Sequence, residues 1–345
     1  MKRSSRPGIK DVAAAAGVSP TTVSDALNGK GRLPDETRER VRQVAEKLGY
    51  RPNAIARGLR NRQVGLLGLI LIPAPATSVT GVSYWIKVLT QAAESALERG
   101  YALVMLPSDP DALTPMTFPV DGVIVVDPAE GDVVLGALRS EAIPFVTIGR
   151  DLAGSPEPSL DDAIVAGVES LLNAIAQPGE RVALLTMASR KSYIQDAVDG
   201  TLAWKGHPAG YPMIIEVASP VIEDVQPAVA DLIASGLPDV LLGVNERVTM
   251  SALRALRAAG VSVPRNIRLA SLVEAPELIR VKPTVTALVQ HPKRSAELAV
   301  ATIIDVIEGR KSRAVTLTPL GLRFGATAPK VRAASPRPRA RKSAR

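Results

Sequence analysis

The stretch Ile9-Lys10-Asp11-Val12-Ala13-Ala14-Ala15-Ala16-Gly17-Val18-Ser19-Pro20-Thr21-Thr22-Val23-Ser24 decides how the chain begins to fold. Apolar residues recur at Val12, Ala13 and Ala16, then at Val23, Ala26 and Leu27, each set tracing the i, i+3, i+4 stripe of one helix face. Between the stripes Gly17 permits a tight turn, Ser19 is placed to cap the next helix, and Pro20 suits a first helical position. Two short helices joined in this way form a helix-turn-helix. A third stripe follows at Val41, Val44, Ala45 and Leu48. Asp35 and Glu36 stand in its first turn, where negative charge favours the positive helix end, and Gly49 closes it. The spacing predicts a three-helix head over residues 1–52.

Beyond Tyr50-Arg51-Pro52, Asn53 is an N-cap for Ala54 to Arg60, a segment too short to hold a helix alone in water, so 53–63 reads as a hinge helix that folds with partners. From Val64 onward, buried apolar runs of strand length alternate with longer helical patterns. Strands are expected at Leu66–Ile72, Ala102–Leu106, Gly122–Val126, Phe145–Ile148, Val182–Leu185, Met213–Val217 and Val240–Val244. Helices are expected at Tyr84–Arg99, Val133–Ser140, Ala163–Ala176, Val225–Ala234, Val248–Ala259 and Lys293–Ile307. Strand, helix, strand in repetition means parallel sheets with both faces covered, and the number of units requires two α/β lobes with a cleft between them. The core spans 64–329, lobe one being about 64–155 plus 287–318 and lobe two about 156–286 plus 319–329. The segment between Leu106 and Val120 is short for a full helical crossover.

Charge is distributed unevenly. Residues 1–63 hold fourteen Lys/Arg against six Asp/Glu and residues 330–345 hold seven against none, so the net +8 of the chain leaves the middle at −7. Two basic ends around an acidic body indicate a polyanion met at particular places. The tail, 330–345, reads as a disordered basic run. With no cysteine a thiolate metal site is excluded, with only His207 and His291 a histidine-rich metal or catalytic centre is not expected, and no cofactor is expected. No apolar run approaches a membrane span and none follows the charged first residues, which predicts a cytoplasmic protein with no membrane partner.

A helix starting at Pro20 exposes Thr21, Ser24, Asp25 and Asn28 opposite Val23, Ala26 and Leu27, with Ser19 and Thr22 at its start. Small polar groups there suit phosphates and base edges of double-stranded DNA. The quoted stretch, followed by Ala26-Leu27-Asn28-Gly29, resembles the DNA-binding signature of the lactose and galactose repressor family. Thr37-Arg38-Glu39-Arg40-Val41, Leu48-Gly49-Tyr50-Arg51-Pro52-Asn53 and Ala56-Arg57-Gly58-Leu59-Arg60 continue it in register. Val120-Asp121-Gly122-Val123-Ile124, Val263-Pro264-Arg265-Asn266-Ile267 and Ala296-Glu297-Leu298-Ala299 carry the likeness through to about Gly325. The resemblance implies a homodimer with a periplasmic-binding-protein-like core whose small-molecule effector changes operator affinity.

It also implies roles. Leu59 stands where family members insert a leucine pair into the minor groove, with Ala56, Arg57 and Arg60 beside it and Asn53 at the helix start. Asp25 stands where Arg is frequent: it either accepts from cytosine N4 or orients Arg32 while repelling other sequences. In the core, Asn245-Glu246 replaces Asn-Asp, Ser271-Leu272-Val273-Glu274 replaces Gly-Phe-Asp-Asp, and Ala197 and Val198 stand where a sugar-binding arginine is expected. Those departures argue against a standard hexose. Arg150, Tyr193, Asn245, Glu246 and Glu274 are the effector candidates, Arg150 as a partner for an anion. A small polar metabolite, a phosphorylated compound and no effector at all stay open. Asp161-Asp162 reads as a helix N-terminus. Phosphate loops and nucleophile elbows are absent, which argues against an enzyme and leaves two regulators, one ligand-responsive and one ligand-independent.

Overall fold

In the computed structural model, the described residues are 7–28, 33–50, 64–72, 83–113, 119–310, 312 and 315–331. Arg32, Asn53, Ala56, Arg57, Leu59 and Arg60, the hinge as a whole and tail residues 332–345 lie outside them, as does the side chain of Asn28. Residues 1–65 and 66–345 form separate units.

The head contains α1 (Ile9–Ala16), α2 (Pro20–Asn28) and α3 (Asp35–Lys47). Val12, Val23, Ala26 and Val41 are wholly buried at their junction. The turn works as the residue types require. Gly17 adopts φ 65°, which lets the Val18 N–H reach back to the Ala13 carbonyl at 3.0 Å, and the Ser19 Oγ accepts from the Thr22 N–H at 3.0 Å.

The core holds two six-stranded sheets. In the first unit of alternation come β1 (Leu66–Leu71), α4 (Ser83–Glu98), β2 (Ala102–Met105), the four-residue α5 (Pro110–Leu113), β3 (Gly122–Val126), α6 (Val133–Ser140), β4 (Phe145–Ile148) and β5 (Ser159–Asp162). Next are α7 (Ile164–Ile175), β6 (Val182–Met187), α8 (Ser192–Ala203), β7 (Met213–Val217), α9 (Ile222–Ser235) and β8 (Val240–Gly243). The chain ends through α10 (Glu246–Ala258), β9 (Arg268–Ser271), α11 (Pro276–Arg280), β10 (Thr286–Val289), α12 (Pro292–Ile307), β11 (Val315–Thr318) and β12 (Gly321–Arg323).

The first sheet runs β11-β5-β4-β3-β1-β2, entirely parallel; the second runs β12-β10-β9-β8-β6-β7, with only β12 antiparallel. The two orders are the same doubly wound pattern, which puts a topological switch at β1/β3 and at β6/β8 and the ligand crevice at the strand carboxyl ends. Helices α4 and α12 bury Trp85, Val88, Ala299 and Ile303 on one face of sheet one, and α6 buries Leu135 and Leu138 on the other. The crossover from β2 to β3 carries only α5 among the described residues.

Strand pairing moves two of the expected lobe boundaries. β5, assigned to lobe two from the sequence, pairs with β4 and β11 in sheet one, while β10 pairs with β9 in sheet two before α12 returns to sheet one. The chain therefore crosses between lobes at 162–164, 289–292 and 318–321. Asp161-Asp162 accordingly ends a buried strand and does not open a helix, because its backbone is satisfied by neighbours as distant in sequence as Val315–Thr318.

Because Ser19 satisfies an otherwise orphaned N–H at the start of α2, Ser19→Ala should cost about 1 kcal/mol locally, roughly a fivefold rise in amide exchange across α2. Hydrogen exchange on the full chain measures it. Unchanged protection of Thr22 and its neighbours would show that the cap is not needed.

Candidate functional site

On α2, Ser19, Pro20 and Thr21 are exposed and Thr22 and Asp25 are half-buried. Thr22 also shares a hydrogen bond with Ser19, Oγ1 to Oγ at 2.8 Å, so its hydroxyl is tied to the cap. Ser24 departs from expectation, with only 5% of its surface exposed. It lies three residues before Leu27, about 60° round the helix, so its small side chain turns toward the bundle. The outward surface of α2 thus begins with Ser19, Pro20 and Thr21 and continues at Asp25.

The core cavity occupies about 830 Å³, counted to its open mouth. Its walls come from the carboxyl ends of strands: Asp127 after β3, Ile148 and Gly149 at β4, Asp161 and Asp162 at β5, Met187 at β6, Asn245 and Glu246 after β8, Val273 after β9 and Gln290 after β10. Helix starts add Tyr84 and Trp85 from α4, Lys191 and Tyr193 from α8, and Ser295 from α12. Both sheets and two of the interlobe crossings meet here.

Four acids line this space. Asp127 occupies the left-handed region at φ 56°, held by its N–H to the Ile148 carbonyl at 2.7 Å, and its carboxylate accepts from Trp85 Nε1 at 2.6 Å. Burial raises its pKa against the pull of Lys191 and of the Trp85 bond. Asp161 is pushed up to about 6 by burial, opposed by Arg150. Asp162 rises further, to about 7, because burial is reinforced by the neighbouring Asp161 and Asp127 charges and relieved only by Gln290. Burial likewise raises Glu246 and lowers Lys191. Lys191 Nζ donates to the carbonyls of Ile72, at 2.5 Å, and Asp127, at 2.8 Å, tying the start of α8 in lobe two to lobe one.

Among the expected effector residues, Tyr193, Asn245 and Glu246 line the cavity. Asn245 also caps α10, its Oδ1 accepting from the Val248 N–H at 2.9 Å. Arg150 and Glu274 do not line it. The Arg150 guanidinium lies between two acids, Nε 2.9 Å from Asp161 Oδ2 and Nη2 2.5 Å from Asp196 Oδ1, so its charge is already answered. Glu274 is paired with Arg323, 2.5 Å from its Nε. Sequence reading missed Asp127, Asp161, Asp162 and Lys191. The signal available for the first three was their place at the ends of strands that a doubly wound sheet aims at its crevice; Lys191 gave none, since its loop has no strand pattern.

Residues 8–53 match the family of bacterial regulatory proteins designated lacI, and residues 180–327 match the periplasmic binding protein-like domain. Over 307 residues the chain is 30% identical to the ribose operon repressor of Bacillus subtilis (strain 168), covering 87% of this chain and 91% of that one. The chain belongs to the lacI family. It is a DNA-binding transcriptional regulator, as the family's members are. The HTH-type transcriptional regulator PtxS of Pseudomonas plecoglossicida is 28% identical over 323 residues, 88% of this chain and 90% of that one. Two solved structures share the fold: a transcriptional regulator CelR-cellobiose complex (TM-score 0.67, 20% identity, 94% of this chain and 100% of that one) and a lac repressor dimer bound to operator and an anti-inducer (0.66, 18%, 94% and 100%). No helix among the described residues is long and apolar enough to cross a membrane.

The acids of the cleft make stability depend on pH. The Asp162 pKa is higher folded than unfolded, so its favourable contribution is present in acid and is lost as pH rises through about 7. Asp162→Asn should therefore stabilise the ligand-free protein by on the order of 1–4 kcal/mol near about pH 8, with the gain shrinking toward about pH 4. Thermal melts of both proteins across that range test this. A variant no more stable than the parent at the alkaline end would overturn the assignment.

Proposed function

We propose that the protein is a homodimeric repressor that reads operator DNA with α2 and the 53–63 hinge and adjusts its grip to a small molecule in the core cleft. The single observation that carries the reading is a capped, outward-facing helix start at Ser19, Pro20 and Thr21 in a chain whose core opens a cavity with four acids in its lining where both sheets end. The N-terminal turn of such a helix suits the major groove, and the basic head supplies phosphate contacts. Asn28, Arg32, Asn53, Ala56 and Arg57 extend the proposed contact surface. Relatives titled as a repressor of the ribose operon and as a lac repressor dimer on its operator support the same reading. A ligand bridging the lobes changes their relative stability in closed and open arrangements, and that difference is what operator affinity can report.

Asp25 is proposed to contribute to base choice, since a carboxylate can only accept at a base edge where an arginine would donate twice to guanine. Asp25→Arg should change the preferred sequence and not merely the strength of binding. Selection from a random duplex pool that returns one consensus for both proteins would remove Asp25 from base reading.

Leu59 is proposed as the minor-groove wedge of the paired hinges. Leu59→Ala should weaken operator binding by about 1–3 kcal/mol while leaving the affinity and salt slope on scrambled DNA unchanged, because no phosphate-neutralising charge is lost. Arg60→Ala should lower both modes and reduce the slope by about one. Fluorescence anisotropy across a salt series separates these outcomes, and equal losses on both duplexes for Leu59→Ala would reduce the hinge to a linker. Sedimentation of the free protein tests the dimer.

A further inference from the structure

The charges lining the cleft are matched unequally. Asp161 has the Arg150 guanidinium at 2.9 Å. Asp127 has the Trp85 indole N–H and the attraction of Lys191, whose ammonium is spent on two backbone carbonyls. Lys191 answers Asp127 and Asp132. Asp162 has one neutral donor, the Gln290 side chain, and otherwise like charges around it. It is 5% exposed, lines the cavity, and its Oδ1 has no hydrogen-bond partner among the described residues. A buried carboxylate with an open acceptor and two acidic neighbours is completed by a proton or by a donor that enters the cavity, and a donor at Oδ1 also fills the open acceptor.

Three classes of entrant can be compared. An anion meets repulsion from the four acids of the wall, and of the two cations in the lining Lys191 is bonded to backbone carbonyls while Arg247 stands near Glu246. A neutral hydroxyl can donate to Oδ1 but leaves the charge of Asp162 uncompensated beside Asp161 and Asp127. A cationic nitrogen both donates and neutralises, which gives the strongest kind of hydrogen bond. Metal ions are a poor alternative, because the acids among the described residues do not converge as a metal-ligating group. Helix α4 adds Tyr84 and Trp85 to the lining close to these acids, and aromatic rings suit the body of an organic cation more than a hydrated ion.

We propose that the effector of this cleft is a small organic cation, an amine or amidine, whose nitrogen seats on Asp162 beside Asp161 and Asp127. This rests on the reading of the cleft as the effector site and gives that site its ligand class. It also sets aside the phosphorylated compound among the open alternatives, since Arg150, the candidate partner for an anion, is held by Asp161 and Asp196.

The test uses the full chain and two matched sets of probes at neutral pH: putrescine, 1,4-butanediol and succinate; D-glucosamine, D-glucose and D-glucose 6-phosphate. Calorimetry measures binding, and anisotropy on an operator selected with the same protein measures the consequence. The expected result is binding by an amine member in preference to its neutral and anionic counterparts. Asp162→Asn should weaken that binding about tenfold or more, equivalent to about 1.4 kcal/mol, while Asp162→Glu retains part of it. Circular dichroism verifies that both variants fold. Binding of a neutral or phosphorylated member as tight as its amine, amine binding indifferent to Asp162→Asn, or no binding by any member overturns the proposal. Should D-glucose or its phosphate alter operator affinity, the sensor reading stands and only the ligand class falls. Should no probe of any charge alter operator affinity, the sensor reading itself loses its support.

Discussion

The ammonium of Lys191 holds the two lobes in register. It stands at the start of α8, in the lobe built on the second sheet, yet both of its hydrogen bonds go to carbonyls at the ends of β1 and β3 in the first. The surrounding backbone reinforces the tie, with a bridge between Ala129 and Lys191 and the Glu130 N–H donating to the Arg190 carbonyl at 2.9 Å. Burying a lysine this far costs solvation, and two short bonds to backbone carbonyls are what offset it. These contacts join the two lobes beside Asp127, Asp161 and Asp162, whose burial sets the electrostatic character of the cavity. Each acid is raised by burial that an opened cleft would relieve.

Much of this was legible in the sequence where local signals and tertiary demand agree. The head is the clearest case, because the Gly17 turn, the Ser19 cap and three apolar stripes all specify one bundle and the structure contains each. The strands Gly122–Val126, Phe145–Ile148 and Met213–Val217 fall where short apolar runs bounded by turn residues placed them. The missed elements have weak local signals. Ser192–Ala203 mixes Gln195, Asp196, Asp199 and Gly200 among its apolar residues, so its inward face is narrow; Gly200 is kept small because a Cβ there would come within 3.0 Å of the Val165 Cα. β11 and β12 are short edge strands whose existence depends on pairing with β5 and β10, far away in sequence.

Asp161-Asp162 shows why site residues are harder to read than folds. Two adjacent acids just before a helical run have a good local explanation in the helix dipole. Tertiary pairing overrides it: both residues are in a strand, both are buried, and the helix begins two residues later at Ile164. The same override removed Arg150 and Glu274 from the list of ligand contacts, since an ion-pair partner on another element leaves no mark in the sequence around an arginine. Ser24 was misplaced for a smaller geometric reason, a rotation of about 60° from Leu27.

These pairings also connect the cleft to the lobe interface. Asp161 belongs to the first sheet and Asp196 to α8 in the second lobe, and Arg150 stands between them. The Asp161 charge raises the cost of ionising Asp162, and a Coulomb interaction is mutual, while the Asp162 backbone N–H donates to Asp161 Oδ1 at 2.9 Å. Charge added or removed at Asp162 therefore changes how strongly Asp161 competes with Asp196 for the guanidinium, and with it the energy of a contact that exists only while the lobes are together. Coupling of this kind is reciprocal: whatever neutralises Asp162 more effectively in the closed arrangement than in the open one stabilises closure by that same difference. A ligand need not touch the head to be felt there, provided the operator-bound and free states differ in how closed the cleft is.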